Sequence, residues 1–505
     1  MNNDINQTQN LLSTSNLNEK KQRVYSDQNQ DLLVDTTNLS NSIGGQNDIN
    51  YSHVSPGGKN RQTSNAPSSP GQRLLYVASS PARYIKKQIR PGGIKSSIFS
   101  LIILCLGAGT LSMPYVFEKN GIVFGSFLLL LGGVLSLYTG WLVVVCCHRL
   151  NASRYEDIAL ATYGKTASII TSICMLACLI GFVMSYIVLF KELLPYTLGR
   201  LVDGPLPDII SDSFAGKTFW AAIFSFVLVF PVSLARTLSA LRFSSFFSFI
   251  LSIYIVVAIV FLCLFSRDTT PDLGQSFKLS FSNFDINVMG VFNSLPLVIF
   301  SYMYQTNIPM IYVELEKKDL KHMWKVMLYG TCGATVAYLF AGIFGYTAFA
   351  AYPNVDALME QQNILKCYPN NPANFISLFG ILVVILFATP LTILPCKDTI
   401  EELFLKPGQR LNNKQNIICT FILVLISFAI SLVIPKIGDA MTILGATTNS
   451  GIGFLLPIIF YLKLERKAPR WANHKIVAYI VFVFICFSSV IELATFIYKK
   501  LQGLD

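Results

Sequence analysis

The sequence has few charged and few histidine residues. Asp, Glu, Lys and Arg make up 13% of its 505 residues, against roughly 25% in an average soluble domain. Its 4 His leave little from which to build a histidine-based metal site. It has no phosphate-binding P-loop pattern, and its apolar segments carry no nucleophile–base pair and no paired carboxylates. An enzyme or an ATP-driven pump is therefore not expected.

Long apolar runs fill most of the chain. Hydrophobic residues make up 52% of it, and each run is long enough to cross the roughly 30 Å of hydrocarbon in a bilayer. The runs are about 94–117, 122–147, 168–198, 217–233, 243–265, 290–311, 325–349, 373–396, 416–434, 440–462 and 476–498. We therefore predict an all-α polytopic membrane protein with 11 transmembrane helices, embedded in the lipid bilayer.

The formal net charge of +11 reflects orientation in the membrane. When residue 1 is placed in the cytosol, most of the 39 Lys and Arg fall in cytosolic segments, as the positive-inside rule requires. Eleven crossings then put residue 505 on the extracellular or lumenal side. The basic charge thus predicts a topology, and no nucleic-acid partner is expected.

The first part of the chain differs from the rest. Residues 1–85 are rich in Asn, Ser, Gln and Asp and contain few large apolar side chains. Such a segment cannot bury enough apolar surface to offset the entropy lost on ordering. We predict a disordered cytosolic tail that can bind a cytosolic protein, followed by a transmembrane transporter domain over residues 90–498.

The first apolar run contains helix-weakening residues in its middle. The stretch CLGAGTLSMPYVFEKNG carries Gly107, Gly109 and Pro114 where lipid offers no hydrogen-bond partners. Irregular backbone at membrane depth is tolerated only inside protein or beside a wet cavity, and interrupted helices form substrate sites in secondary transporters. The alternative is an unbroken, glycine-kinked helix that packs closely on its neighbours.

The sixth run has the same character. Its middle, from Ser301 to Asn307, is polar and is bracketed by Pro296 and Pro309. The alternative is that this span ends at Tyr302 and a loop follows. Five helices separate the two irregular spans, so the spacing fits an inverted repeat in which two broken helices cross near the middle of the membrane. Helix amino ends there would attract a carboxylate, and freed carbonyls would attract a cation or an ammonium.

Two further segments carry polar or small residues. Thr389 and Thr392 of the eighth run can serve as oxygen ligands, or each can donate a hydrogen bond back to a carbonyl of its own helix. The tenth run contains LGATTNSGIG, which suits either close helix packing or a gate.

Four segments resemble a known family. GGIKSSIFSLIILCLGAGTLSMPYVFEKNG, IFSYMYQTNIPMIYVEL, FATPLTILPCKDTIEEL and ILGATTNSGIGFLLPIIFYLKL are similar to characteristic segments of the amino acid/auxin permease family, in the expected order. The resemblance covers roughly residues 90–498. It implies 11 helices with broken helices 1 and 6, a five-plus-five inverted repeat, and amino acid transport coupled to sodium or protons.

The resemblance also implies a site. The main chain around Gly107, Ala108, Gly109 and Thr110 would hold the substrate carboxylate. The side-chain pocket would be lined by Ser301, Tyr302 and Tyr304. A sodium ion, if used, would lie between the carbonyls of Leu106 and Gly109 and the hydroxyl of Thr389.

The chain departs from the family pattern in one respect. Many relatives have a Cys-His pair where this chain has Tyr304-Gln305, so proton coupling through a histidine is not supported there. Glu192 and Glu492 are the carboxyls that could titrate in the spans, although Lys191–Glu192 at a membrane edge is more typical of an interfacial ion pair. The coupling ion, sodium or proton, stays open, and no other cofactor is expected.

The predicted function is secondary active transport of amino acids, with neutral amino acids as the favoured substrates, by a symporter that rocks one helix bundle against the other. The alternative is a membrane amino acid sensor that signals through its tail. The membrane could be plasma, vacuolar or lysosomal.

Overall fold

The computed structural model describes residues 92–502, except 203–206, 237, 267–269, 271, 283–287, 353, 360–361, 406–408, 468 and 470–471. The predicted tail, residues 1–85, lies outside the described residues. Within them, every regular element is a helix. The helices are α1 Ile94–Cys105, α2 Gly109–Leu150, α3 Tyr155–Tyr163, α4 Lys165–Gly199, α5 Phe214–Val232, α6 Leu238–Phe265, α7 Leu273–Ser282, α8 Val288–Ser301, α9 Ile308–Glu314, α10 Leu320–Phe349, α11 Val355–Met359, α12 Pro372–Phe404, α13 Asn413–Val433, α14 Ile437–Leu464 and α15 Asn473–Gln502.

Nine helices in the described part of the chain are long and apolar enough to cross a membrane. The predicted first and sixth spans are not counted among them as separate helices, because α1 has 12 residues and α8 has 14. The 42-residue helix α2 covers the end of the first predicted span and all of the second, and it kinks at Gly121, where φ is 69°. Each of the apolar runs is thus occupied by helix, while the count of 11 crossings and the inverted repeat stay predictions.

Several helix starts are fixed by local side chains. Asn371, before α12, accepts a hydrogen bond from the Asn374 N–H at 2.8 Å, and Pro372 follows as the first helical residue. Asn412 and Gln415 form a reciprocal capping box at the start of α13. Such caps satisfy amide groups that have no partner within the helix, so these starts follow directly from the sequence.

Small residues let α10 lie close to the first broken span. A Cβ atom added at Gly330 would come within 2.6 Å of the Leu101 Cδ2 atom, and one at Gly342 within 2.2 Å of the Phe117 Cε2 atom. Side chains on either side of the first helix break therefore pack into glycine positions of α10. This packing fixes both halves of the broken helix against a continuous one.

The tenth predicted span contains wide helical turns. Residues Gly445–Leu455 form a π-helix in the middle of α14. A Cβ atom at Gly445 would lie 2.1 Å from the Pro296 carbonyl oxygen of α8. Of the two alternatives for the LGATTNSGIG run, close packing describes this contact.

Candidate functional site

The first span is broken where its glycines lie. Helix α1 ends at Cys105, and α2 begins at Gly109 after a non-helical Leu106 with φ −75° and ψ 60°. No side chain caps the start of α2, and among the described residues the Ala108 and Gly109 amides have no hydrogen-bond acceptor. The Thr110 hydroxyl, on a residue 4% exposed, also has no partner. Three buried donors thus gather at the amino end of α2.

The sixth span is broken at a matching place. Helix α8 ends at Ser301, residues 302–304 are not helical, and a short 3-10 turn, Gln305–Asn307, leads into α9. The helical direction therefore resumes after the polar residues, and the span does not end in a loop at Tyr302. Breaks of this kind leave backbone groups free to meet a ligand.

The two breaks touch each other. A Cβ atom added at Gly109 would lie 2.2 Å from the Ser301 Oγ atom and 3.2 Å from the Ser301 Cα atom. Only a residue without a side chain fits at Gly109, so the amino end of α2 lies directly against the carboxyl end of α8. The Ser301 hydroxyl itself donates to the Leu297 carbonyl at 2.7 Å.

A tyrosine of α10 joins the carboxyl ends of α1 and α8, the helices that precede the two breaks. The Tyr338 hydroxyl lies 2.5 Å from the Cys105 carbonyl oxygen and 2.8 Å from the Ser301 carbonyl oxygen. Both carbonyls belong to the last residue of a helix, where the amide four residues ahead is missing as a partner, and the Cys105 carbonyl instead accepts from the Gly107 N–H at 2.7 Å. A hydroxyl has one hydrogen, so it can donate to only one of these oxygens at a time. The other keeps a lone pair for a ligand.

Two more features near the first break, a hydrogen bond and an open space, were not predicted from the sequence. The Ser252 hydroxyl of α6 donates to the Leu106 carbonyl at 3.1 Å. At Gly107 the space is open, because the described atom nearest to an added Cβ atom would be the Tyr186 Cε1 atom of α4, at 4.0 Å. Ser252, Tyr186 and Tyr338 lie in apolar runs without a local pattern, so no sequence signal marks them.

The predicted pocket tyrosines are fully enclosed. The Tyr302 hydroxyl donates to the Thr335 Oγ1 atom at 2.8 Å, and the Tyr304 hydroxyl lies 2.9 Å from the Thr331 Oγ1 atom. Both rings lie beside glycines of α2, since a Cβ atom at Gly132 would come within 3.3 Å of Tyr302. Their side chains fill space between α2 and α10, and their role in lining a substrate pocket stays a prediction.

Gln305 stands where the family resemblance led us to look for a histidine. Its Nε2 atom donates to the Ser136 Oγ atom at 2.9 Å and to the Thr139 Oγ1 atom at 3.2 Å. The Ser136 hydroxyl in turn donates to the Tyr302 carbonyl at 2.8 Å. Gln305 therefore ties α2 to the irregular segment of the sixth span through uncharged groups.

The two threonines of the eighth span bond within their own helix. The Thr389 hydroxyl donates to the Ile385 carbonyl at 2.6 Å, and the Thr392 hydroxyl donates to the Ala388 carbonyl at 3.3 Å. Each oxygen keeps lone pairs after donating its hydrogen. Among the described residues, no group of three or more His, Cys, Asp or Glu could hold a metal ion.

Lys191 and Glu192 do not pair with each other. Lys191 donates to the carbonyls of Ser431 and Ile434 at the end of α13. Glu192 accepts from the Lys366 ammonium and, at 3.1 Å, from the Ile437 N–H at the start of α14. The predicted interfacial pair is therefore wrong, because neighbouring residues on a helix do not face each other. Lys191 instead binds the end of α13, and Glu192 binds the start of α14.

Known proteins resemble this chain over most of its length. The sequence matches the family described as "Transmembrane amino acid transporter protein" over residues 90–498. It is 23% identical over 429 residues to "Sodium-coupled neutral amino acid transporter 7" of Xenopus laevis, covering 81% of this chain and 88% of the relative. It is 24% identical over 405 residues to "Amino acid transporter AVT6E" of Arabidopsis thaliana, covering 78% and 80%.

A solved structure has the same fold. The structure of MhsT in complex with L-phenylalanine superposes with a TM-score of 0.54 at 14% sequence identity, covering 79% of this chain and 98% of that one. At this identity the likeness concerns the fold alone. Together with the apolar helices, it supports a polytopic α-helical membrane protein.

Proposed function

The chain belongs to the transmembrane amino acid transporter protein family, as its resemblance to amino acid/auxin permeases predicted, and on that premise we propose how it transports. It is a multi-pass membrane protein and an amino acid transporter, and its relatives are transporters rather than enzymes. We propose that it carries neutral amino acids by alternating access, driven by an ion gradient, and that the substrate binds between the two helix breaks.

The contact between the two breaks carries this proposal. The unpartnered amides of Ala108 and Gly109 and the Thr110 hydroxyl lie at the positive end of the α2 dipole, where a carboxylate is stabilised. The Cys105 and Ser301 carbonyls, at the negative ends of α1 and α8, share one hydroxyl donor, and the Cys105 carbonyl also accepts from the Gly107 N–H. They would accept from an ammonium group. An amino acid carries both charges, so these main-chain groups and the Thr110 hydroxyl would hold its common part.

The surroundings of this place favour an uncharged substrate side chain. The open space at Gly107 faces Tyr186. One helical turn before Tyr186, Phe182 contacts Phe300 of α8 with their ring centroids 4.9 Å apart. A charged side chain would lose its hydration there without gaining a counter-charge. Aromatic surfaces instead stabilise apolar and small polar side chains, and we propose neutral amino acids as the substrate class.

The oxygen atoms near the first break suit a hard cation such as sodium. Thr389 and Leu106 each keep a lone pair after their present hydrogen bonds. Pro114 has no N–H to donate to the Thr110 carbonyl, which frees another oxygen near Gly109. We propose Leu106, Gly109 and Thr389 as the sodium ligands. A bound sodium ion would supply positive charge beside the substrate carboxylate.

Replacing Thr389 with valine tests this sodium site. Thr389→Val keeps the shape of the side chain and removes its oxygen, so the sodium concentration for half-maximal uptake should rise, with less effect on the rate at saturating sodium. Thr392→Val is the matched control, because its hydroxyl bonds to its helix in the same way. An unchanged sodium dependence in Thr389→Val, or wild-type uptake that ignores replacement of sodium by choline, would show that Thr389 binds no coupling ion.

Uptake into proteoliposomes tests transport itself. Purified protein should accumulate labelled neutral amino acids when a sodium or a proton gradient is imposed, and should discriminate against charged ones. Deleting residues 1–85 should leave this uptake intact. The alternative role, an amino acid sensor signalling through its tail, instead predicts binding with negligible flux and a loss of partner recruitment on deletion.

Orientation follows from the same proposal. We propose a cytosolic amino terminus and an extracellular or lumenal carboxyl terminus, because the basic residues then lie mostly on the cytosolic side. Either the plasma membrane or a vacuolar or lysosomal membrane fits this arrangement. Cysteine labelling of a residue near position 502 in sealed vesicles would establish the side.

A further inference from the structure

One face of α15 turns toward the helix bundle. Its buried residues recur every three or four positions and therefore lie on a single face. They are Lys475, Ala478, Val481, Ile485, Ser488 and Glu492. Ala478, Val481 and Ile485 pack with Leu295 of α8 and Phe454 of α14. Glu492 lies on the same face. Its carboxyl group therefore occupies a position at which most of the other buried residues of α15 are apolar.

The Glu492 carboxyl is enclosed and unpartnered. The residue is 1% exposed, and among the described residues neither of its oxygens has a hydrogen-bond partner. Ser488, one turn earlier on the same face, already donates its hydroxyl to the Ile485 carbonyl at 3.0 Å. A buried carboxylate without a counter-charge or donors is strongly unfavourable, whereas a neutral carboxylic acid is not. Ionisable groups placed this way within membrane spans typically serve ion pathways.

The charged groups described on α8, α14 and α15 supply no counter-charge to the Glu492 carboxylate. Helix α8 carries no titratable side chain, and α14 carries Asp439, Tyr461 and Lys463. Asp439 pairs with Lys500 of α15 at 3.2 Å, about 12 Å beyond Glu492 along the helix axis. Lys463 lies over the Tyr163 ring, 4.7 Å from its centroid. On α15 itself, the basic residues nearest Glu492 are Lys499 and Lys500, at the end of the helix.

We propose that Glu492 is a proton-binding site of the transport cycle. Its carboxylate takes a proton from hydronium, releasing water, when its face of α15 is open. It stays a neutral acid while α15 is packed against α8 and α14. It returns the proton to water on the other side of the membrane when this packing opens again. The inference rests on the proposed transport function and adds the proton as a coupling ion, at a place separate from the Thr389 region.

The helices that pack against α15 connect it to the candidate substrate site. Helix α8 ends at Ser301, which lies against Gly109. Helix α14 packs closely on α8 where Gly445 lies against the Pro296 carbonyl. Motion of α8 during substrate binding would therefore move both helices on which the buried face of α15 packs. Because only the neutral acid is stable when α15 is packed against these helices, protonation and this packing would favour each other.

Proton movement during uptake tests this proposal. The protein is reconstituted in proteoliposomes containing a trapped pH-sensitive dye, and amino acid uptake is followed with the lumen alkaline. Wild-type uptake should be stimulated by this gradient and should acidify the lumen. Glu492→Gln, which resembles the neutral acid, should bind the amino acid but lose both the stimulation and the acidification. Asp439→Asn is the matched control, because it removes a carboxylate from the same bundle, and should keep both.

The outcomes separate this inference from the proposed function. Proton entry in Glu492→Gln equal to that of the wild type would overturn the inference, as would wild-type uptake that moves no protons. An absence of uptake of every amino acid by the wild type would instead overturn the transport function. If Glu492→Gln does not fold, a membrane-permeant carbodiimide can be used on the wild type, since it modifies protonated buried carboxyls. Modification of Glu492 that falls as pH rises supports the proposal, and modification that is absent or independent of pH overturns it.

Discussion

Gly109→Val should abolish amino acid uptake and lower the thermal stability of the protein. The first added carbon would lie 2.2 Å from the Ser301 Oγ atom and 2.8 Å from the Ser301 Cβ atom, and because a Cβ atom is fixed to its backbone, the backbone must move. Such a shift separates the two helix breaks and misplaces the groups proposed to hold the substrate. Uptake into proteoliposomes and thermal unfolding in detergent measure the two effects. Near-normal uptake by correctly inserted Gly109→Val protein would contradict the assigned site.

Two companion variants separate packing from substrate binding at this place. Ser301→Gly removes the Oγ and Cβ atoms that clash, so combined with Gly109→Ala it should restore much of the lost stability. Gly107→Val has open space, because the nearest atom to an added Cβ is 4.0 Å away. It should fold as stably as the wild type and still lose uptake, since its side chain would occupy the space proposed for the substrate. Normal uptake by Gly107→Val would place the substrate elsewhere.

The position of both helix breaks could be predicted from sequence because their causes are local. Glycine and proline weaken a helix through their own backbone properties, and polar residues are costly against lipid. Gly107, Gly109 and the residues from Ser301 onward therefore marked the irregular segments directly. The contact between Gly109 and Ser301 joins positions far apart in the chain, and no local pattern encodes it.

Residues that reach the breaks from other helices could not be predicted. Tyr338, Ser252 and Tyr186 each stand in an apolar run where aromatic and hydroxyl residues are common. Their importance comes from which carbonyl or glycine they meet in space, and this depends on how the helices pack. Lys191 and Glu192 show the same limit, because their adjacency in sequence suggested a pair while their side chains meet different helices.

Lys366→Met should lower the free energy of unfolding by about 3 kcal/mol, because it leaves the Glu192 carboxylate enclosed without its counter-charge. The side chains of Lys366 and Glu192 are 13% and 6% exposed, so water can replace little of the lost interaction. Within the described part of the chain, only the Ile437 N–H would remain as a donor to Glu192, at 3.1 Å. Chemical unfolding of the purified protein in detergent, followed by the fluorescence of its Trp residues, measures the change.

The double variant Lys366→Met/Glu192→Gln determines whether the unpaired charge causes this loss. Glutamine can still accept from the Ile437 N–H and has no charge to bury, so the double variant should be more stable than Lys366→Met alone. If instead the two changes add, the ion pair contributes little and the loss comes from the packing of the Lys366 side chain. Glu192→Gln alone leaves an unpaired ammonium, but Lys366 is the more exposed partner and can turn toward water. Its stability should therefore fall less than that of Lys366→Met, and the reverse order would contradict the enclosure of Glu192.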